Sequence, residues 1–202
     1  MIAESVIISL VAGKLRKGKI FKIFDSKIKG WYLFIIAVIL EFSSMYIYNE
    51  NIYDLGAYIN DYFMFIQGAV YMLVLVGLIL NFRYKSLIIV FLGTVLNLLV
   101  MLINGGKIPV SIEALKYANL AGKIKLLQGG KILTQTISSE ITKLAFLGDI
   151  IPIPYPNVMA KVISIGDIII AIGIFVLIQK IMVNKNAFGN NCNMIEFDYL
   201  IK

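Results

Sequence analysis

Long apolar runs separated by short polar stretches dominate this chain, and their lengths predict membrane-crossing helices. Trp31–Tyr48, Tyr62–Phe82, Ser86–Ile103 and Val162–Met182 approach or exceed the required span. A helix needs roughly 20 mostly apolar residues to cross a bilayer. Ile2–Ala12 is shorter and reaches Leu15 if the Lys14 side chain snorkels toward the interface. The pattern therefore predicts an all-α polytopic membrane protein. Its five-helix transmembrane bundle has spans near 2–15, 31–48, 62–82, 86–103 and 162–182. The segment 105–161 connects the last two, and a tail of residues 184–202 follows the bundle at 1–183.

Composition supports the membrane reading. Hydrophobic residues make up 59% of the chain and mean hydropathy is +0.86, whereas soluble domains hold about 45–50% apolar residues. The net charge is +7, but on such a chain basic residues report topology and lipid contact, so no nucleic-acid partner is read from them. The single Cys192 has no intrachain disulfide partner, and the absence of His excludes Ser-His-Asp chemistry and imidazole metal sites. No metal or cofactor motif is present.

Positive charge orients the spans. The linker Lys14–Lys29 carries seven basic residues against one acid, Asp25, and is expected in the cytoplasm. Asn49–Asp61 has Glu50, Asp54 and Asp61 without Lys or Arg, and is expected outside. Arg83 and Lys85 bring the chain back in. Segment 105–161 is then external and the tail cytoplasmic, giving a cell-membrane protein with its N-terminus outside. The basic cluster follows the first apolar segment instead of preceding it, which is the wrong order for a signal peptide.

The external segment is too long for an idle loop. Ser111 is placed to cap a helix with Glu113 in its first turn. Ile112, Leu115, Ala118, Ala121, Ile124 and Leu127 continue the helical period until Gly129-Gly130. This predicts one amphipathic helix, lying on the outer leaflet or packed on the bundle as a lid. Lys131–Ser138 is a candidate strand, with Leu144–Ile150 as its candidate partner in a small β-hairpin. Pro152, Pro154 and Pro156 impose an extended return path. Asn104–Pro109 reads as a turn cluster.

Gly-Asp-Ile-Ile occurs twice, at Gly148–Ile151 and Gly166–Ile169, and the second copy puts Asp167 inside a predicted span. A carboxylate at the centre of a span costs about 2.5–3.5 kcal/mol on insertion scales. By helical rise, Asp167 and Gln67 lie roughly 8 Å inside their outer ends, and Glu41 and Asn97 about 10 Å. Ser43, Ser44 and Ser164 are a little shallower. These side chains form one polar layer in the outer half, and no comparable set is read in the inner half. The functional reading is an outward-facing acidic pocket of Glu41, Gln67, Asn97 and Asp167. The competing reading is interhelical hydrogen bonding, favoured for Asn97 and Gln67. Glu41 and Asp167 are poor glue for one another unless one is protonated.

Leu96–Leu99, Asn104–Val110, Phe146–Pro152 and Val162–Asp167 together resemble a family of bacterial multi-pass membrane proteins defined only as a domain of unknown function. The resemblance covers nearly the whole chain and implies no activity. A more distant one is to lipoprotein signal peptidases. These are small bundles with two catalytic aspartates at the outer membrane face, the second opening the last span. That resemblance implies that Asp149 and Asp167 form a catalytic pair, one protonated on the scissile carbonyl and the other activating water. This chain departs from the pattern. Asn97 is followed by Leu98, Leu99 and Val100 instead of leading to Asp-Arg, Asp167 lacks the flanking Asn and Ser, and the peptidases have four spans. The simpler reading of Asp149 is a loop carboxylate that caps a turn.

The first expectation is therefore a binding or accessory component of the membrane, with a lipidic or peptidic ligand, or a membrane-protein partner, at its outer face. The alternatives are an aspartyl peptidase and a structural subunit of a membrane complex.

Overall fold

The computed structural model describes residues 2–24, 26–50, 52, 55–154 and 160–183. The expected tail of residues 184–202, with Cys192, lies outside the described residues, as do Asp25, Asp54 and Pro156. Each of the five apolar runs contains a helix: α1 (Ile2–Leu15), α3 (Trp31–Glu50), α5 (Phe63–Ile79), α6 (Lys85–Ile103) and α9 (Ile165–Val183). Between them lie the short helices α2 (Phe21–Phe24), α4 (Gly56–Asp61), α7 (Ile112–Tyr117) and α8 (Ala121–Gln128). Three helices, α3, α6 and α9, are long and apolar enough to cross a membrane, and α5 is a shorter apolar helix.

The long helices pack in the order α3, α5, α6, α9, α1. The strands, α7 and α8 gather at one end, here termed the cap end; the helix ends and loops with Lys14, Arg16, Lys29, Arg83 and Lys85 lie at the opposite, basic end.

Small residues set the closest packing, between α6 and α9. A Cβ added at Gly93 would stand 2.6 Å from the Gly166 carbonyl oxygen, and one at Gly173 2.9 Å from the Val90 amide nitrogen. Larger side chains here would drive the backbones apart. Leu78, Leu87, Val90 and Ile170 form a buried cluster between α5, α6 and α9, with Phe34 from α3 packed against it.

Polar bonds join the other helices. Ser5 Oγ donates to the Ala171 carbonyl at 2.7 Å, and Gln179 Nε2 to the Ser9 carbonyl at 2.7 Å, which rivets α1 to α9. Arg16 reaches Gln179 Oε1 at 3.2 Å. At the basic end, buried Asn81 accepts from the Lys29 amide at 2.8 Å and donates to the Lys29 carbonyl at 2.7 Å, holding the entry to α3 against the exit from α5. The half of the bundle toward the basic end therefore does hold polar groups, where the sequence reading expected no comparable set. Gln179 and Asn81 escape notice in sequence because they sit near the ends of their runs.

The cap corrects two further expectations and bears on a third that the sequence left open. First, the amphipathic helix is two helices. Ser111 does cap α7, its Oγ accepting from the Ala114 amide at 3.3 Å. The helix then stops at Asn119, which has φ +58°. Leu120 donates back to the Leu115 carbonyl and Asn119 to that of Lys116, a Schellman closure. Asn tolerates this left-handed conformation better than most residues. The apolar period runs on across the break, so periodicity alone misses it.

Second, α7 packs as part of the cap. Ala114, Leu115 and Ala118 are buried with Val110 and Val162, and Leu120, Ile124 and Leu127 pack against them. Third, the strand partner differs. β2 (Gln135–Ile137) runs parallel to β1 (Ile108–Val110), inside the expected turn cluster and its exit. Leu144–Ile150 instead holds a 3-10 turn at Ala145–Leu147 and a bridge from Asp149 to Val110. The hairpin that does form is β3 (Ile151–Ile153) against β4 (Lys161–Ile163), on the proline-rich return path. A salt bridge from Lys161 to Glu4 ties β4 to α1.

Gly173→Leu is expected to separate α6 from α9 and destabilise the fold by about 1–3 kcal/mol, seen as a lower thermal midpoint in uncharged detergent. Gly68→Ala, where no atom lies within 4 Å of the added Cβ, should leave the midpoint unchanged or raise it, since Ala is the better helix former. Equal losses for the two variants would contradict the close-packing account.

Candidate functional site

The last helix begins later than its apolar run suggests. Val162 and Ile163 belong to β4, and α9 starts at Ile165. Asp167 is therefore in the first turn, about 3 Å from the helix start by rise, and not 8 Å inside a span. Ser164 stands immediately before the helix. Its Oγ accepts from the Asp167 amide at 3.0 Å, and the Asp167 carboxylate approaches the Ser164 amide at 3.4 Å. This is the reciprocal geometry of a capping box, and the helix N-terminus favours the negative charge there.

Asn97 completes the arrangement from α6. Its Nδ2 donates to Asp167 Oδ1 at 2.9 Å, while its Oδ1 accepts from Ser164 Oγ at 2.9 Å. Asn97 and Ser164 are both buried. A Cβ at Gly166 would lie only 2.1 Å from Asn97 Oδ1, so glycine there makes room for the amide. The partners of Asp167 are thus Asn97 and Ser164. Neither Glu41 nor Asp149, the two neighbours weighed from sequence, is bonded to it among the described residues.

Glu41, Gln67, Asn97 and Asp167 nonetheless line one cavity of about 490 Å³ between α3, α5, α6 and α9. Tyr71 and Thr94 add their hydroxyl-bearing side chains to its wall. Gln67 is 5% exposed, and its Nε2 has no hydrogen-bond partner. The Glu41 carboxyl lies near this amide without meeting hydrogen-bond geometry among the described residues. Asn97, expected to act as interhelical glue, does so. Gln67, expected to act likewise, instead presents an unused donor at the cavity wall. Ser43 is exposed, and Ser44 turns back on the Glu41 carbonyl at 2.8 Å.

Asp149 occupies a different setting. It is buried in the cap, and Gln135 Nε2 donates to its Oδ2 at 2.5 Å. Its amide donates to the Pro109 carbonyl at 2.9 Å and its carbonyl accepts from the Ser111 amide at 3.0 Å. It thus joins β1, β2 and the start of α7, and it is not part of the cavity wall. Burial, followed by the Asp167 charge, pushes its carboxyl up to about 7, against the opposing influence of Lys123 and Gln135. No bond between the two carboxyls is present among the described residues. Nor does any group of three His, Cys, Asp or Glu side chains gather there to hold a metal ion.

Residues 25–179 match the model of a family described as a family of unknown function, DUF5317. The chain belongs to that family. It is also similar to an uncharacterized protein of Thermotoga maritima, with 38% identity over 85 residues, which is 42% of this chain and 45% of that relative. The matched stretch therefore spans less than half of the relative's length. No solved structure matches.

The raised Asp149 predicts a pH dependence of stability. Between an ordinary unfolded value of 3.8 and a folded value of about 7, the folded chain keeps a proton that the unfolded chain has lost. Stability must then fall as pH rises through this window and level off above it. Asp149→Asn, which still accepts from Gln135, should flatten the profile and show its largest relative gain at the alkaline end. Thermal midpoints across the window test this, and a wild-type contribution that rises with pH and persists in the variant would contradict it.

Proposed function

We propose that this chain is a polytopic membrane protein that binds a ligand in the acidic cavity and serves as a binding or accessory component at the outer face of the cell membrane. One observation carries the reading: Glu41, Gln67, Asn97 and Asp167, from four separate helices, border the same 490 Å³ space. Intramembrane polar groups tend to face the bundle interior or a water-filled cavity, and a pocket of this size is within the range of small-molecule sites. In this proposal α1, α3, α5, α6 and α9 all cross the bilayer, the basic end is cytoplasmic and the cap is outside. The basic residues of Lys14–Lys29 and Arg83 support that orientation.

A second reading, peptide hydrolysis by Asp149 and Asp167, is favoured by the influence of the Asp167 charge on Asp149. It requires the two to share a proton, whereas each is held by its own separate donors. The variants Asp149→Asn and Asp167→Asn separate the readings. A catalytic pair demands equal loss of function from both, whereas the pocket reading expects Asp149→Asn to retain ligand.

The binding reading is tested by filling the cavity. Val70 is buried on its wall, while Val76 on the same helix is exposed and faces away from the core. The full chain is purified from bacterial membranes in uncharged detergent, and co-purifying small molecules are read by native mass spectrometry. A bound species is expected with wild type and with Val76→Trp, and at least tenfold less, on the order of one lost anchoring contact, with Val70→Trp. Equal retention by all three would overturn the proposal.

A further inference from the structure

The cavity has a direction. On each of its four helices a polar lining residue lies capward of the apolar run that leads toward the basic end, and Met101 and Ile108 add apolar surface beyond this polar layer at the cap. On α5, Gln67 and Tyr71 precede Val74 and Leu78; on α6, Asn97 and Thr94 lie capward of Val90 and Leu87. On α3 and α9 the same order places Glu41 capward of Val38 and Phe34, and Asp167 capward of Ile170 and Ile174. Four helices running in alternating directions share this polarity, so it belongs to the space between them.

Its dimensions restrict what fits. Leu87 and Met101 both line the cavity, and the fourteen residue steps between them cover about 21 Å of helix. A volume of 490 Å³ along that length describes an elongated space. Such a space accommodates an extended alkyl chain.

Its charge restricts the head. Among the described lining residues, Glu41 and Asp167 are the carboxyl groups and there is no Lys or Arg. Asp167 is already held by Asn97 and Ser164. Among the described residues the Glu41 carboxyl has the Gln67 amide as its polar neighbour, and the buried Gln67 Nε2 has no acceptor in hydrogen-bond geometry. An anionic head would be repelled by both carboxyls, whereas a donor-bearing cation would meet Glu41 directly.

Resting on the pocket reading above, we propose that the ligand is a single-chain amphiphile with an ammonium head. The tail lies along Val74, Leu78, Val90 and Ile174. The head sits capward, donating to Glu41, and an oxygen near it accepts from Gln67 Nε2.

The test uses n-hexadecylamine and hexadecanoate, which share a tail and differ in head charge, with the full chain in uncharged detergent and native mass spectrometry as the readout. Wild type should retain the amine at least tenfold better than the acid. Glu41→Gln should collapse that preference about tenfold. Glu41→Lys should reverse it, a gain that misfolding does not produce. Val70→Trp should lose both probes. If wild type retains both equally and Glu41→Gln changes nothing, the cavity selects tails and not heads. The inference then fails while the pocket reading stands. If wild type retains neither probe and filling the cavity has no effect on co-purifying species, both fail.

Discussion

Three side chains near the cap end, Asn97, Ser164 and Asp167, satisfy one another, and the position of the last helix follows from them. A serine ahead of α9 accepts from the Asp167 amide and donates to Asn97, and Asn97 in turn donates to the Asp167 carboxylate. Each member has one partner within α9 or its cap and one across to α6, apart from Asn97, which supplies both crossing bonds. An ionised group in an apolar setting is tolerated only when its hydrogen bonds are made. Here the helix N-terminus, a backbone amide and a carboxamide meet that condition together.

Several features depend on that arrangement. Fixing the start of α9 sets the register that lets Gly93, Gly166 and Gly173 bring the α6 and α9 backbones together. The same register directs Asp167, Ile170 and Ile174 toward the space shared with α3 and α5. The cap is anchored separately. Asp149 links β1, β2 and the start of α7, and Lys161 with Glu4 ties β4 to α1. Two superficially identical Gly-Asp-Ile-Ile segments therefore have different physical roles. One carboxylate holds a small sheet together, and the other caps a long helix and borders a cavity.

Much of the helical framework was legible because apolar run length is a direct consequence of what a bilayer-crossing helix requires. The Ser111 cap was legible too, since its chemistry is local. A shared layer of Glu41, Gln67, Asn97 and Asp167 was expected from comparing depths along helices of expected direction, although Asp167 lies in the first turn of α9 and not deep within it; all four border one cavity. What depended on tertiary detail was not legible. The sequence cannot distinguish Asp167 in a span from Asp167 in a capping box until the start of α9 is known, because Val162 and Ile163 are as apolar as the helix that follows. Asn119 interrupts an otherwise continuous helical period. Parallel pairing of β1 with β2 joins segments separated by two helices, and no local pattern signals it. The roles of Gln179 and Asn81 emerge only when their carbonyl partners on other elements are in place.

The most direct test of this account is a double-mutant cycle on Asn97 and Asp167, with Asn97→Ala, Asp167→Ala and the pair compared by reversible unfolding of the full chain in uncharged detergent. A hydrogen bond to a charged group contributes about 1.5–3 kcal/mol, so the double variant should be more stable than the sum of the single losses allows, with a coupling of that order. Losses that add to within about 0.5 kcal/mol, as for independent sites, would show that Asn97 and Asp167 do not hold one another and would contradict the account.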